Sequence, residues 1–324
     1  MPPSQSKSRS NLYYRLRIPL IVIFVIVCKS LPEFVLDPTG VVVPAPDRLL
    51  VHLRQALTLV RATPGRHGHS LTLQDCTEVL VAGDLHGHLA NFQVLLRAAD
   101  LARHPTRCLV FQELIHGKFR YPKGGDKSHQ LVDLFAVLKC QFPRQVHYLP
   151  GNHELAQWTG RPVLKGDENF NRLFEEGVIE AYGSEFGRSI YAAYLELFPA
   201  LPVAIRTPNR TIICHSLPSA RHLATFAPER LKDDVYQPGD LAPGGSIHSL
   251  LWGRDVSSMN VRNFLDKMDA DWLISGHVPC PDGFDVPNDR QIILDCAESP
   301  ASYLLIPTDR PVTQSDLIGC LKTI

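Results

Sequence analysis

The stretch TEVLVAGDLHG, residues 77–87, decides how this chain folds. Its apolar run, residues 79–82, is typical of a strand buried on both faces, and the polar residues after it form an exit loop. The next segment, LANFQVLLRAADLA at residues 89–102, has apolar residues at helical spacing. A strand, a loop and a helix in this order are the repeating unit of an α/β layer.

The same order occurs twice more along the chain. TRCLVFQ at residues 106–112 is a second strand, and SHQLVDLFAVLKCQF at residues 128–142 is a helix with Ser128 as its predicted cap. QVHYLPGNHE, residues 145–154, is a third strand with its exit loop. The repetition predicts an α/β fold with a parallel sheet.

Other periodic segments complete the outline. Further helices are predicted at residues 47–62, 168–182, 188–198, 261–268 and 313–324. Short strands are predicted at residues 201–207, 210–216, 270–277, 290–296 and 301–308, the last two as a pair.

Composition narrows the classes of function. The 324 residues include 33 basic and 33 acidic side chains, so the net charge is near zero. A neutral chain has no broad attraction for nucleic acid or anionic lipid, and neither partner is expected. The eight cysteines contain no CxxC pair, which argues against a structural zinc motif. Buried free thiols in a reducing compartment are expected, and hence a cytoplasmic protein.

The amino-terminal arm, residues 1–45, is predicted to lie outside a folded domain at residues 46–324. It combines a basic segment with the apolar run IPLIVIFVIVC at residues 18–28, which is shorter than the ~20 residues that a spanning helix needs. This order resembles the start of a signal peptide but lacks a small-x-small cleavage site. A signal or a weak anchor stays open, and no stable membrane association is expected.

Four predicted strands end in groups that can bind metal. Ligands in open α/β folds gather where strands end, because the loops there meet in one crevice. Carboxylate, imidazole and amide oxygen together suit Mn, Fe or Zn. The groups are Asp84 and His86 after the first strand, Asn152, His153 and Glu154 after the third, and His215 and His277 after two later ones.

These motifs resemble the calcineurin-like metallophosphoesterases, most of all the Ser/Thr phosphoprotein phosphatase branch. The matching segments are GDLHG, GNHE, CHSLPS, LLWGRD and SGHVP, within about residues 79–296. The resemblance implies a four-layer α/β/β/α sandwich of two sheets flanked by helices. It also implies two metal ions and hydrolysis of phosphomonoesters by a metal-activated hydroxide that attacks phosphorus in line.

The resemblance also implies roles for individual residues. Asp84, His86 and His277 would hold one ion, and Asn152 and His215 would hold the second. His153 would donate a proton to the leaving oxygen. The implied substrate is a phosphoserine or phosphothreonine protein. A nucleotide or another small phosphate ester is the alternative, and a non-catalytic metal-binding or phosphate-binding module on the same scaffold is a third possibility.

One motif departs from the family pattern GDxxDRG, whose first Asp bridges both ions, whose second Asp orients the proton donor and whose Arg grips phosphate. FQELIHGKF stands there, at residues 111–119. We expect Glu113 to be the bridge, with Asp126 as its competitor; the third possibility is that neither binds, which leaves one metal ion or none. If Asp126 is not the bridge, it is expected to orient His153, and His116 is a further possible ligand.

The phosphate group needs a basic partner, and an Arg can grip two of its oxygens. The loop after the second strand carries a local basic cluster in an otherwise neutral chain. We expect Arg120 or Arg254 to bind phosphate; the other candidates are Lys118, Lys123, Lys127 and Arg161.

Overall fold

The computed structural model describes residues 34–36 and 42–324, with side chains from residue 45 onward. The apolar run at residues 18–28 lies outside the described residues, so its role stays a prediction. Within the described part of the chain, every helix is too short or too polar to cross a bilayer.

The described residues form sixteen strands. They are β1 Phe34–Leu36, β2 Val42–Pro44, β3 Arg66–His67, β4 Ser70–Thr72, β5 Glu78–Asp84, β6 Arg107–Gln112, β7 Val146–Leu149, β8 Leu164–Lys165, β9 Glu168–Asn169, β10 Ala204–Arg206, β11 Thr211–Cys214, β12 Trp272–Ser275, β13 Phe284–Asn288, β14 Gln291–Leu294, β15 Ser302–Pro307 and β16 Leu321–Thr323.

Ten α-helices are described between the strands. They are α1 Pro46–Arg61, α2 Leu89–Ala99, α3 His129–Gln141, α4 Asn152–Thr159, α5 Phe170–Leu197, α6 Ala220–Leu223, α7 Pro238–Leu241, α8 Ser246–Trp252, α9 Ser258–Met268 and α10 Gln314–Gly319. Two short 3-10 helices cover Phe198–Ala200 and Pro228–Lys232.

Two large sheets organise these elements. A five-stranded sheet has the order β16-β15-β5-β6-β7, and a seven-stranded sheet has the order β13-β14-β12-β11-β10-β4-β3. Strands β5, β6 and β7 run parallel, which confirms the prediction made from the repeated strand, loop and helix. In the second sheet β11, β12 and β14 also run parallel, so the carboxyl ends of each set share one edge.

Three apolar clusters separate four layers. Successive side chains of a strand point to opposite faces. On β5, Leu80 and Ala82 therefore join the cluster against helices α1, α2, α3 and α5, whereas Val79 and Val81 join the cluster between the sheets. On β11, Ile212 belongs to the third cluster, against α8 and α9. The order is helices, sheet, sheet, helices, which confirms the predicted α/β/β/α sandwich.

Three local predictions were wrong. The segments 290–296 and 301–308 do not pair with each other, because β14 pairs with β12 and β13 whereas β15 pairs with β5 and β16. The last predicted helix stops at Gly319 and continues as β16, an edge strand paired with β15. Ser128 precedes α3 without capping it through its side chain, because its hydroxyl donates to Asp126 instead.

Candidate metal centre

The predicted ligands come from five strand ends in two sheets. Asp84 is the last residue of β5, Glu113 follows β6, and Asn152 follows β7 by two residues of loop and opens α4. From the second sheet, His215 follows β11 directly and His277 follows β12. The structure brings all of them into contact at the rim where the two sheets meet.

Asp84 joins the two sheets. Its Oδ2 accepts a hydrogen bond from the backbone N–H of His277 at 2.8 Å, and its Oδ1 lies 3.4 Å from Nδ1 of His215. A Cβ on Gly276 would lie 2.1 Å from Oδ1 of Asp84. The glycine of SGH is therefore needed for this close approach.

His86 and Glu113 form the second contact of the rim. Nδ1 of His86 lies 2.8 Å from the carbonyl oxygen of Ile115 and donates to it. The other ring nitrogen, Nε2, therefore faces Glu113 and lies 3.2 Å from its Oε2. Both residues have left-handed backbone, with φ of 40° and 35°. Such conformations are costly for residues other than glycine and concentrate at functional sites. Here they turn the chain sharply at the strand end.

Glu113 occupies the centre of the group. Its Oε1 accepts from the backbone N–H of His153 at 2.9 Å and lies 3.6 Å from Nε2 of His215. Glu113 belongs to both sets of residues with converging ligand atoms, one with His86 and His153, the other with Asp84 and His215. Burial would raise the pKa of Glu113, but His215, His153 and His86 hold it well below its usual value. This placement supports the predicted bridging role.

His277 lies with a different partner from the one expected. Nε2 of His215 is 3.1 Å from Nδ1 of His277 and 3.1 Å from Oδ1 of Asn152. The ring of His277 thus groups with His215 and Asn152, whereas only its backbone N–H contacts Asp84. The family resemblance predicts His277 with Asp84 and His86, but at the left-handed turn after β12, where His277 has φ of 66°, its ring lies next to His215 instead.

The residues fit a pair of cations. Three buried ligand atoms make no hydrogen bond to any described residue: Oδ1 of Asp84, Nδ1 of His215 and Nε2 of His277. Unpaired polar atoms are costly in an interior unless an ion or water satisfies them. Burial lowers the pKa of His277 to about 2, so its ring is neutral. Neutral imidazoles with carboxylates and an amide oxygen are suitable ligands for first-row transition metals.

Neighbouring carboxylates raise the pKa values of two histidines at the rim. Burial alone would lower the pKa of His86, but Glu113 and then Asp84 raise it to about 10. The same two carboxylates overcome burial at His215 and raise its pKa. Because metal binding requires neutral imidazole, a bound cation would displace these protons.

Asp126 lies elsewhere than expected. Its Oδ1 accepts from the backbone N–H of Ser128 at 2.8 Å. Its Oδ2 accepts from the backbone N–H of Gly117 at 3.1 Å and from the hydroxyl of Ser128 at 2.9 Å. The carboxylate is fully buried. These bonds fold the loop between β6 and α3, and they leave Asp126 in contact with neither His153 nor the ligands. The predictions that Asp126 bridges or orients are therefore wrong.

His116 takes the place next to His153. Their Nδ1 atoms are 2.8 Å apart, and Nε2 of His116 is 2.7 Å from Oε1 of Gln157. Burial and then His153 lower the pKa of His116 to about 3, so its ring is neutral. The sequence alone predicts His116 only as a possible metal ligand. Its position three residues after Glu113, the spacing of the two acids in GDxxDRG, is the signal that identifies it.

Glu154 supports the loop that carries Glu113. Its Oε1 accepts from the backbone N–H groups of Leu114 and Ile115, at 3.0 and 3.2 Å, and from the hydroxyl of Tyr148 at 2.5 Å. Its Oε2 accepts from the backbone N–H of Gly151 at 2.8 Å. One buried carboxylate thus joins the exit loops of β6 and β7. Glu154 is a structural member of GNHE, and Asn152 and His153 are the members that reach the centre.

The two predicted phosphate-binding arginines differ in whether other residues already contact their guanidinium groups. Arg120 donates to the carbonyl of Gly117, lies 3.6 Å from Oδ1 of Asp126 and stacks its guanidinium 5.5 Å from the ring centre of Phe170. Arg254 is exposed and makes no hydrogen bond or ion pair with any described residue. Its charge is one of those that lower the pKa of His277.

Comparison with known proteins gives the family of these motifs. A family model described as calcineurin-like phosphoesterase matches residues 77–281. The chain is 24% identical over 262 residues to a probable serine/threonine-protein phosphatase from Encephalitozoon cuniculi. That alignment covers 71% of this chain and 50% of the relative, so the chain spans about half the length of that protein.

Solved structures share the fold at low identity. A protein serine/threonine phosphatase from Saccharomyces cerevisiae with similarity to human phosphatase PP5 matches with a TM-score of 0.60 and 16% identity, over 86% of this chain and 89% of that one. A cold-active protein-tyrosine phosphatase of a psychrophilic Shewanella species matches with a TM-score of 0.52 and 13% identity, over 82% and 83%. At these identities the likeness establishes the architecture.

Proposed function

Because this chain belongs to the calcineurin-like phosphoesterase family, we propose that it hydrolyses phosphomonoesters with a pair of metal ions. One observation carries the proposal. Ligand atoms from both sheets converge around the buried carboxylate of Glu113, and three of them make no hydrogen bond to any described residue.

We assign the ligands to two ions that would share Glu113. Asp84 and His86 would hold one ion, and Asn152, His215 and His277 would hold the other, with Glu113 between them. When bound, such a pair lowers the pKa of water and stabilises charge on the attacking and leaving oxygens. Mn, Fe and Zn all suit this mixture of nitrogen and oxygen ligands.

His153 is the proposed proton donor to the leaving oxygen. Its backbone N–H bonds to Glu113, which ties the donor to the proposed bridge. Its Nδ1 is taken by His116, so Nε2 is the nitrogen left for the substrate. A proton donor has no use in a module that only binds metal, and its retention favours catalysis.

Arg254 is the proposed phosphate-binding residue, because its guanidinium makes no hydrogen bond or ion pair with any described residue and its charge acts on His277. A free guanidinium can bind two phosphate oxygens at once. Arg120 is a weaker candidate, since its charge is partly satisfied by Asp126.

The proposed substrate is a protein phosphorylated on serine or threonine, as the name of the Encephalitozoon relative suggests. A nucleotide or another small phosphate ester is the alternative within the same chemistry. We place the reaction in the cytoplasm, since all seven cysteines in the described part of the chain are free thiols.

The test is turnover of phenyl phosphate, whose leaving oxygen needs a proton, by the full chain loaded with Mn²⁺ or Zn²⁺. The unmodified chain should be active only with metal. His153→Ala should keep its metal and lose about 10²–10⁴-fold in turnover, the usual contribution of a proton donor. His67→Ala, an exposed histidine on edge strand β3, is the matched control and should keep full activity.

Two results would contradict the proposal. Full activity in His153→Ala would remove the assigned proton donor. Tight metal binding without turnover, on aryl phosphates and phosphopeptides alike, would leave only a binding module.

A further inference from the structure

We propose that His116 and Gln157 are positioning residues that hold the proton of His153 on Nδ1, so that its Nε2 is the atom that gives a proton to the substrate. The inference rests on the proposed phosphatase function and deepens it. A chain of neutral groups, in the order Gln157, His116, His153, here does the work that the second Asp of GDxxDRG does in the family pattern.

A backbone carbonyl determines which atom donates in each hydrogen bond of the series Gln157, His116, His153. One amide atom of Gln157 lies 3.3 Å from the carbonyl oxygen of Asn171, which can only accept, so that atom is the NH₂ group. The same NH₂ donates to the hydroxyl of Tyr191 at 2.7 Å. The other amide atom, which faces His116, is therefore the oxygen.

An amide oxygen accepts, and this fixes the tautomer of His116. Its Nε2, 2.7 Å from Oε1 of Gln157, must carry hydrogen. A neutral imidazole has one N–H and one acceptor nitrogen, so Nδ1 of His116 is the acceptor. It lies 2.8 Å from Nδ1 of His153, which must therefore be the donor.

Each member of the chain is held rigidly. His153 and Gln157 are four residues apart on α4 and project from one face of that helix. The backbone N–H of His116 donates to the hydroxyl of Ser128 at 3.0 Å, and its ring lies 5.9 Å from those of Phe170 and Phe174. His116 and Gln157 are buried, with exposed fractions of 4% and 3%. Water therefore competes little for these hydrogen bonds.

The chemistry of the step follows from the tautomer. Nε2 of the neutral ring first takes up a proton, which makes His153 an imidazolium whose Nδ1–H stays on His116. The P–O bond then breaks with its electron pair on the leaving oxygen, which takes that proton from Nε2. The attacking water delivers its oxygen and one hydrogen to phosphorus and releases the other proton, which restores His153. The ring keeps its Nδ1–H on His116 throughout, so the same nitrogen always faces the substrate.

The experiment separates proton donation from general damage by comparing leaving groups. Phenolate needs a proton as it leaves, whereas p-nitrophenolate needs little help. Gln157→Leu removes the acceptor and should lower kcat for phenyl phosphate by about tenfold but that for p-nitrophenyl phosphate by less than about threefold. An equal loss on both substrates, or no loss on either, would overturn the proposal.

A rescue variant sharpens the comparison. In His116→Asp, a carboxylate can accept from Nδ1 of His153 whatever stands at residue 157, because it has no tautomer to fix. Adding Gln157→Leu to His116→Asp should therefore change neither substrate's kcat. An undiminished effect of Gln157→Leu in the His116→Asp background would show that Gln157 acts otherwise.

A spectroscopic test does not depend on turnover. If the unmodified chain hydrolyses no substrate, the proposed function is wrong, but the tautomers of His116 and His153 can still be measured. In the Zn²⁺-loaded full chain, ¹⁵N shifts of the imidazoles distinguish the two tautomers, and His153→Gln supplies the assignment. Hydrogen on Nε2 of His116 and on Nδ1 of His153 is expected. Hydrogen on Nδ1 of His116 would refute the chain of bonds.

Discussion

Glu113 is longer by one methylene than the aspartate of the family pattern, and the structure makes room for it at Gly151. A Cβ at that position would lie 2.0 Å from Oε1 of Glu113. The glycine of GNHE therefore accommodates the side chain of Glu113, directly after β6, as well as the turn after β7. The longer acid keeps its carboxylate central because the loop backbone at Glu113, with φ of 35°, also departs from the usual strand exit.

Exchanging single carboxylates tests this assignment. Glu113→Gln should lower the metal content from about two ions per chain to about one, because an amide offers a single weak ligand oxygen in place of a bridging carboxylate. Asp126→Asn is the matched control, since Asp126 is equally buried but bonded to the loop. Elemental analysis of both variants gives the stoichiometry. Loss of metal in Asp126→Asn alone would reverse the assignment.

At the level of residues, the sequence predicted which side chains gather at the rim better than which side chains support them. Asp84, Asn152 and His215 follow strands, and a strand end is visible as an apolar run that stops. The contact of His116 with His153 joins positions 37 apart. Nothing in the local pattern shows it, because it depends on how two exit loops pack against each other.

Helix α3 is buried on nearly all sides, and its polar side chains are therefore bonded inside the protein. Ten of its thirteen residues are buried, so its polar members need partners inside the protein. Nζ of Lys139 donates to the carbonyls of Pro143 and Val146, at 2.7 and 3.0 Å, and to the hydroxyl of Thr63 at 3.1 Å. Burial nevertheless lowers its pKa from 10.5 to about 8.

Lys139 predicts a pH dependence of stability. Between pH 8 and 10.5 the unfolded chain keeps the proton of Lys139 and the folded chain releases it, so this residue's contribution to stability rises with pH. The free energy of unfolding of the unmodified chain should gain about 3 kcal/mol relative to Lys139→Met across that range. Urea denaturation at several pH values measures it.

The exposed Lys322→Met on β16 serves as control and should show no such change relative to the unmodified chain. A constant difference between the unmodified chain and Lys139→Met would mean that Lys139 keeps its proton when buried.

Helices and strands were predictable where the apolar pattern extends over many residues. The pairing of the strands was less predictable. The three parallel strands follow from their apolar runs and the helices between them. The segments 290–296 and 301–308 are both strands, but residues 295–301 carry the chain from one sheet to the other. A strand's own residues do not say which sheet it joins, since β14 and β15 have the same β-branched and apolar character.

At the scale of the whole molecule, the centre lies on the join between the two sheets. Asp84, Glu113 and Asn152 come from the five-stranded sheet, and His215 and His277 from the seven-stranded one. Ions bound there contact both halves of the sandwich, so their binding free energy adds to the stability of the folded chain.

Metal removal should therefore lower the melting temperature. An ion at a hundred times its Kd stabilises the native state by about 2.7 kcal/mol, and chelation removes that contribution. Scanning calorimetry of the metal-loaded chain with and without EDTA measures the shift. Asp84→Asn, which should bind metal poorly, ought to melt at one temperature under both conditions. An unchanged Tm of the unmodified chain would show that the sheets hold together independently of the site.

The hydrogen bond between Asp84 and His277 joins positions 193 apart. A chain emerging from the ribosome therefore exposes its first ligands long before the last one exists. Long-range contacts of this kind form slowly, because distant segments must meet before any of their energy is gained. The complete set of proposed ligands therefore exists only after His277 has been synthesised, so both ions would bind after most of the chain has left the ribosome.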